Sequence, residues 1–175
     1  MSLYLYSLRR IVLTSLTRSA GQAVVEFTLI FLLFLIIAWI PADFGLAFYT
    51  AQLAQNASRE GARIAASDPA LGSGTLPGTT FTASCTMPSC SGNILSETAG
   101  RISSALLPNA IINVTLDADT IPPALPKCDR NVTVTVSGNY NYFFYRLLGW
   151  MGVTVPNTLN MVRSTSMRWE HQFGC

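Results

Sequence analysis

Sixteen consecutive residues without a charge, Phe27 to Ala42 (FTLIFLLFLIIAWIPA), constrain this chain more than any other feature. Ala23-Val24-Val25 extend the run upstream across Glu26. A helix from Ala23 to Phe44 covers roughly 30 Å at about 1.5 Å per residue, which matches the hydrocarbon thickness of a bilayer. The core helix of a soluble protein would carry a polar face, and none interrupts this stretch. The segment therefore reads as a single transmembrane helix. Composition agrees, since only 11% of residues are charged where a soluble domain has about a quarter.

Arg9, Arg10 and Arg18 precede the span, and the nearest basic residue after it is Arg59. The positive-inside bias places the N-terminus in the cytoplasm and everything after about Asp43 outside. Trp39 and the aromatic residues from Phe44 to Tyr49 fall at the outer interface, where amphipathic rings are favoured. A cleavable secretory signal is disfavoured, because the apolar stretch is at the upper end of signal length and no A-x-A site follows it. Away from the leader the charges nearly balance, so the basic patch that nucleic-acid binding needs is missing.

Between the basic leader and the apolar run lies Gly21-Gln22-Ala23-Val24-Val25-Glu26-Phe27. Glu26 sits at the edge of hydrocarbon, where an unpaired carboxylate costs at least ~2–3 kcal/mol and so normally has a partner or a function. If a peptidase cuts after Gly21, the new α-amino group of Gln22 supplies a cation one helical turn away, on the same face. In an assembly, the amine of a neighbouring subunit pairs with Glu26 and sets axial register.

With these residues the chain resembles the TadE-like family, single-span proteins of the Tad (Flp) pilus system related to type IV pilins. Gly21 through Phe27 is similar to a prepilin-peptidase site with Glu at position five of the mature chain and an aromatic, Phe27, after it. Asp43-Phe44-Gly45, followed by Ala57-Ser58-Arg59-Glu60-Gly61-Ala62-Arg63, looks like the family's helix beyond the membrane. Leu32 and Leu46 depart from it, standing where such proteins often carry a proline and a basic residue. The resemblance implies a structural or assembly role as a minor pilin or pseudopilin, with no enzymatic activity and no cofactor. The implied partners are a prepilin peptidase, other Tad pilus subunits and an inner-membrane platform. The implied location is the bacterial inner membrane, with the C-terminal part in the periplasm. The 154 residues that follow Gly21 fit that role better than a major pilin, which is little more than the helix. Asp43-Phe44-Gly45 also spells the kinase magnesium motif, but without a glycine-rich loop or catalytic loop it reads as punctuation at the membrane interface.

Three regions are expected: a cytoplasmic leader over residues 1–21, a long helix over 22–67 with its transmembrane part at about 23–44, and a periplasmic α+β domain over 68–175. The helix spans roughly 70 Å, contains Pro41, and stops at Asp68-Pro69. Residues 68 to 93, rich in Gly, Pro, Ser and Thr, read as a loop. A second helix is expected from Asn93 to Leu107, before Pro108. Ile111 to Leu116, Asn131 to Tyr140 and Leu159 to Glu170 show the alternation of strands. Asp117 to Arg130 connects the first two, and Tyr142 to Gly152 reads as a short helix or loop. The fold class is α+β, a long N-terminal transmembrane helix packed with a small antiparallel sheet, in a pilin-like outline.

Cys85, Cys90, Cys128 and Cys175 allow three fully paired connectivities, and an exterior location permits them. If the strands at 131–140 and 159–170 are antiparallel neighbours, Cys128 faces Cys175, which leaves Cys85 and Cys90 to close a small loop. Four separated cysteines without paired C-x-x-C spacing do not point to zinc. No nucleophile elbow, phosphate-binding loop or HExxH sequence occurs, and no catalytic residue can be named. The competing expectation is an unprocessed, signal-anchored periplasmic binding module or adhesin that uses its sheet to hold a ligand. The N-terminal residue of the protein discriminates the two.

Overall fold

The computed structural model describes the backbone of residues 2–121, 123, 125–143, 149, 152, 154 and 156–171, and side chains within that set from residue 21 onward. Helix α1 runs from Ser2 to Ser67 and passes through Pro41 without ending. The helix thus begins earlier than the expected residue 22. Proline at this point removes one backbone donor, and the other hydrogen bonds of the helix carry it through.

The chain divides into two compact units, residues 1–42 and residues 43–175. In the first, every residue from 21 to 42 is exposed, although the segment is almost wholly apolar. Such a surface is unfavourable in water and favourable in lipid. This is the one helix among the described residues that is long and apolar enough to cross a membrane, consistent with a membrane-anchored protein.

The second unit begins at Asp43, so the outer part of α1 belongs to it rather than to the membrane segment. Its sheet contains β1 (Phe81–Thr86), β2 (Ile111–Leu116), β5 (Asn131–Asn141) and β6 (Thr158–Arg168), all antiparallel in the order β1-β2-β5-β6. Alternation along the strands puts Ile112, Val114 and Leu116 of β2 and Val132, Val134 and Val136 of β5 on one buried face. The other face is uncharged and polar over its centre. There Thr133 bonds Ser166, Thr135 bonds Ser164, and Asn160 bonds Asn139, at 3.1–3.2 Å.

Helix α1 packs on the buried face with small residues: Ala54, Ala57, Ser58, Ala62, Ala65 and Ala66 are all nearly inaccessible. Their period of three and four makes one stripe, and their size brings the helix backbone close to the sheet. Ser58 Oγ lies 2.9 Å from Thr165 Oγ1 on β6, and Gln55 Nε2 donates to the same hydroxyl oxygen at 3.1 Å. At the end of the helix the Trp169 indole N–H donates to the Asp68 carbonyl at 3.0 Å, and the Arg130 guanidinium stacks 4.9 Å from the Trp169 ring centre.

Two expectations need correction. Residues 68–93 are not loop throughout, because β1 lies within them and pairs with β2 along its whole length. Helix α2 is Asn93–Gly100, ending well before Leu107. Arg101 caps it, and the following residues turn so that Ile102 and Leu107 both reach the core. The connection at 117–130 contains a further small hairpin of β3 (Thr120–Ile121) and β4 (Leu125–Pro126). Most of the segment expected at Tyr142 to Gly152 lies outside the described residues.

Cys85 and Cys90 form a disulfide at the end of β1. Cys128 is also disulfide-bonded, while Cys175 lies outside the described residues. The β5–β6 register pairs Asn131 with Arg168, so the chain segments flanking that pair approach each other just beyond the sheet.

Candidate functional site

The segment from Gly21 to Phe27 lies on α1 in the first unit, and its polar side chains form one internal contact. Gln22 and Glu26 are four residues apart and so share a face. The Gln22 side-chain amide donates to Glu26 Oε1 at 2.9 Å. Phe27 and Phe31 stack with centroids 5.8 Å apart on a neighbouring stripe. Among the described residues Glu26 has no cationic partner. A neutral amide satisfies part of the carboxylate's hydrogen-bonding capacity but leaves its charge uncompensated.

The next block, Asp43-Phe44-Gly45, does more than mark an interface. Asp43 is only 5% exposed. Its Oδ1 accepts from the Phe143 backbone N–H at 3.1 Å and, more weakly, from the Tyr140 hydroxyl at 3.4 Å. Phe44 meets Tyr142 edge-on at 5.7 Å, and Tyr142 meets Tyr140 at 5.4 Å. Asp43 and Phe44 therefore fasten α1 to the end of β5. Nothing local in the sequence distinguishes this role from punctuation, because the partners lie about a hundred residues later.

Burial pushes the Tyr140 phenol above its ordinary pKa, and the neighbouring Asp43 carboxylate adds to the effect. Above the usual phenol value of about 10 the folded protein then binds more protons than the unfolded one, so stability is complete below that pH and falls as pH rises further. Tyr140→Phe is expected to remove this part of the alkaline loss while costing about 1 kcal/mol or less at neutral pH. Urea unfolding at neutral pH and above pH ~10 checks it. An unchanged alkaline loss would mean that other groups control it.

The third block, Ala57 to Arg63, divides by face. Ala57, Ser58, Gly61 and Ala62 point into the core, while Glu60 and Arg63 point away from it. The Arg63 guanidinium forks onto Glu60 at 2.6 and 3.0 Å, and Arg101, just after α2, reaches the same carboxylate at 3.2 Å. The hydrogen bonds from Arg63 hold the Glu60 carboxyl below its ordinary pKa, assisted by the charges of Arg63 and Arg101. Gly61 permits a close approach of α2. A Cβ at this position would collide with Thr98 Oγ1 and lie 3.2 Å from Val134 Cγ1.

Of the residues singled out from sequence, Gln22 and Glu26 are thus in contact, Phe27 lies beside them, and Gly21 has open space where a Cβ would be. Asp43 and Gly61 emerge from the structure as the packing residues of the same helix. The signal that could have found Gly61 is its place in the stripe of small residues between Ala54 and Ala66.

No curated protein and no solved structure matches the chain. Residues 21–63 match the family model described as TadE-like protein. The match begins at Gly21 and ends at Arg63, so it takes in all three blocks, and over that segment the chain is similar to TadE-like proteins.

Proposed function

We propose that this protein is a minor pilin-like or pseudopilin-like component of a Tad (Flp) pilus assembly or secretion machine, processed after Gly21 and assembling through its N-terminal helix. The TadE-like match points to a pilus-associated component of structural rather than enzymatic type. The observation that carries the finer reading is the place of Glu26, exposed where the apolar stretch of α1 begins and close behind Gly21. Cleavage after Gly21 changes its electrostatics. In the precursor Glu26 lies in the interior of a continuous helix. In the processed chain it lies next to a new helix N-terminus, where the macrodipole and a free α-amine both favour negative charge. An incoming subunit's amine then meets a carboxylate that lipid cannot solvate.

On this reading the leader is cytoplasmic, the apolar helix sits in the bacterial inner membrane, and the second unit is periplasmic. The partners are a prepilin peptidase, the other Tad subunits and the membrane platform. An oxidising exterior is compatible with a second disulfide between Cys128 and Cys175, outside the sheet end where β5 and β6 meet. One experiment reads both features: mass spectrometry of non-reduced protein extracted from membranes of cells with active prepilin peptidase. The expected N-terminal residue is Gln22, with Cys85–Cys90 and Cys128–Cys175 peptides linked. An N-terminus at Met1 would sink the processing, and cleavage beyond Ala42 would make the protein an ordinary secreted one.

A further inference from the structure

A processed chain that begins with glutamine carries a chemical liability. The neutral α-amine can attack the Cδ carbon of its own side-chain amide. A new C–N bond closes a five-membered lactam, the Cδ–Nε2 bond breaks, and ammonia leaves with the proton shed by the amine. The product, pyroglutamate, has no basic N-terminus. Any role for the Gln22 amine as a cation depends on slowing this reaction.

We infer that Glu26 guards the N-terminal amine of the processed chain by holding the Gln22 side-chain amide away from it. The inference rests on processing after Gly21. In the structure the Gln22 amide is committed one turn along the helix, donating to Glu26 Oε1 at 2.9 Å. Cyclisation requires this amide to swing back over its own nitrogen, which breaks the hydrogen bond. The Glu26 charge acts in the same direction, because a nearby carboxylate favours the ammonium form, which has no lone pair for the attack. Glu26 therefore has two separable properties. Its acceptor oxygen holds the amide, and its charge favours the ammonium and would attract a neighbouring subunit.

The test follows blocking of the N-terminus over time in full-length processed protein, extracted in detergent and incubated at neutral pH. Edman sequencing reads the open fraction, and mass spectrometry reads loss of one ammonia at residue 22. Wild-type protein is expected to stay open longest, Glu26→Gln, which keeps an acceptor without the charge, to be intermediate, and Glu26→Ala to cyclise about tenfold faster than wild type, as loss of a charge-assisted hydrogen bond implies. Gln22→Ala/Glu26→Ala has no side-chain amide and is expected to remain open, which assigns the blocking to cyclisation. Equal rates in wild type and Glu26→Ala overturn the inference, as does a processed wild-type chain already blocked on extraction. Those results leave processing intact, whereas an N-terminus still at Met1 overturns both.

Discussion

Gly61→Ala is expected to destabilise the second unit by about 1–3 kcal/mol, against the direction that helix propensity alone predicts. Alanine in a helix interior is favoured over glycine by about 1 kcal/mol. Here the added methyl meets Thr98 Oγ1, which is itself fully buried and donates to the Ile94 carbonyl at 2.7 Å. Relief requires α2 or the Thr98 rotamer to move within a close-packed core, and overpacking of this kind costs ~1–3 kcal/mol. Larger residues such as valine are expected to cost more, because Val134 closes the space from the sheet side. The mechanism has its own control. Thr98→Ala removes the colliding hydroxyl, so Gly61→Ala/Thr98→Ala should be more stable than the sum of the single changes predicts. Urea unfolding of the detergent-solubilised chain, followed by the fluorescence of Trp169, which packs against Arg130, measures the coupling. Additive effects would mean that the Gly61–Thr98 approach is not what restrains residue 61.

The membrane helix is legible from its unbroken apolar run, and the three main strands from their local alternation. Ile111 to Leu116 and the β-branched alternation of residues 132–136 admit little else. The start of β1 was hidden because Phe81-Thr82-Ala83-Ser84-Cys85-Thr86 follows a Gly- and Thr-rich stretch, and its inward residues are only half-buried at a sheet edge. Helix α2 was overextended for the opposite reason. Ile102, Leu106 and Leu107 continue a helical spacing, but Leu107 reaches the core from a turn and fills the space left by Gly138. For the site, the Gln22–Glu26 pairing follows from spacing on one helix. Asp43 and Gly61 depend on partners brought close only by the tertiary fold, so the sequence shows Asp43 only as punctuation at the interface and gives Gly61 no packing role.

Glu26→Gln is expected to abolish or severely reduce piliation while leaving the protein inserted, processed and folded. The substitution keeps the shape of the side chain and an acceptor for the Gln22 amide, and removes the charge alone. An unpaired carboxylate at the hydrocarbon edge costs at least ~2–3 kcal/mol, and on the proposed reading a neighbouring subunit's amine offsets that cost in the assembled state. Losing a comparable energy at a subunit contact weakens it by roughly 30- to 150-fold. Because Glu26 is exposed and far in sequence from the core of the second unit, folding should be unaffected. Glu26→Asp is expected to be intermediate, since it retains the charge and shortens the reach.

The proposed assembly through a charge on the N-terminal helix is tested by pilus number per cell when Glu26→Gln replaces the native copy at matched protein level. Few or no pili are expected, with normal membrane insertion and an N-terminus at Gln22. Normal piliation under those conditions would contradict the proposed assembly, because Glu26 would then be tolerated in the helix without being used.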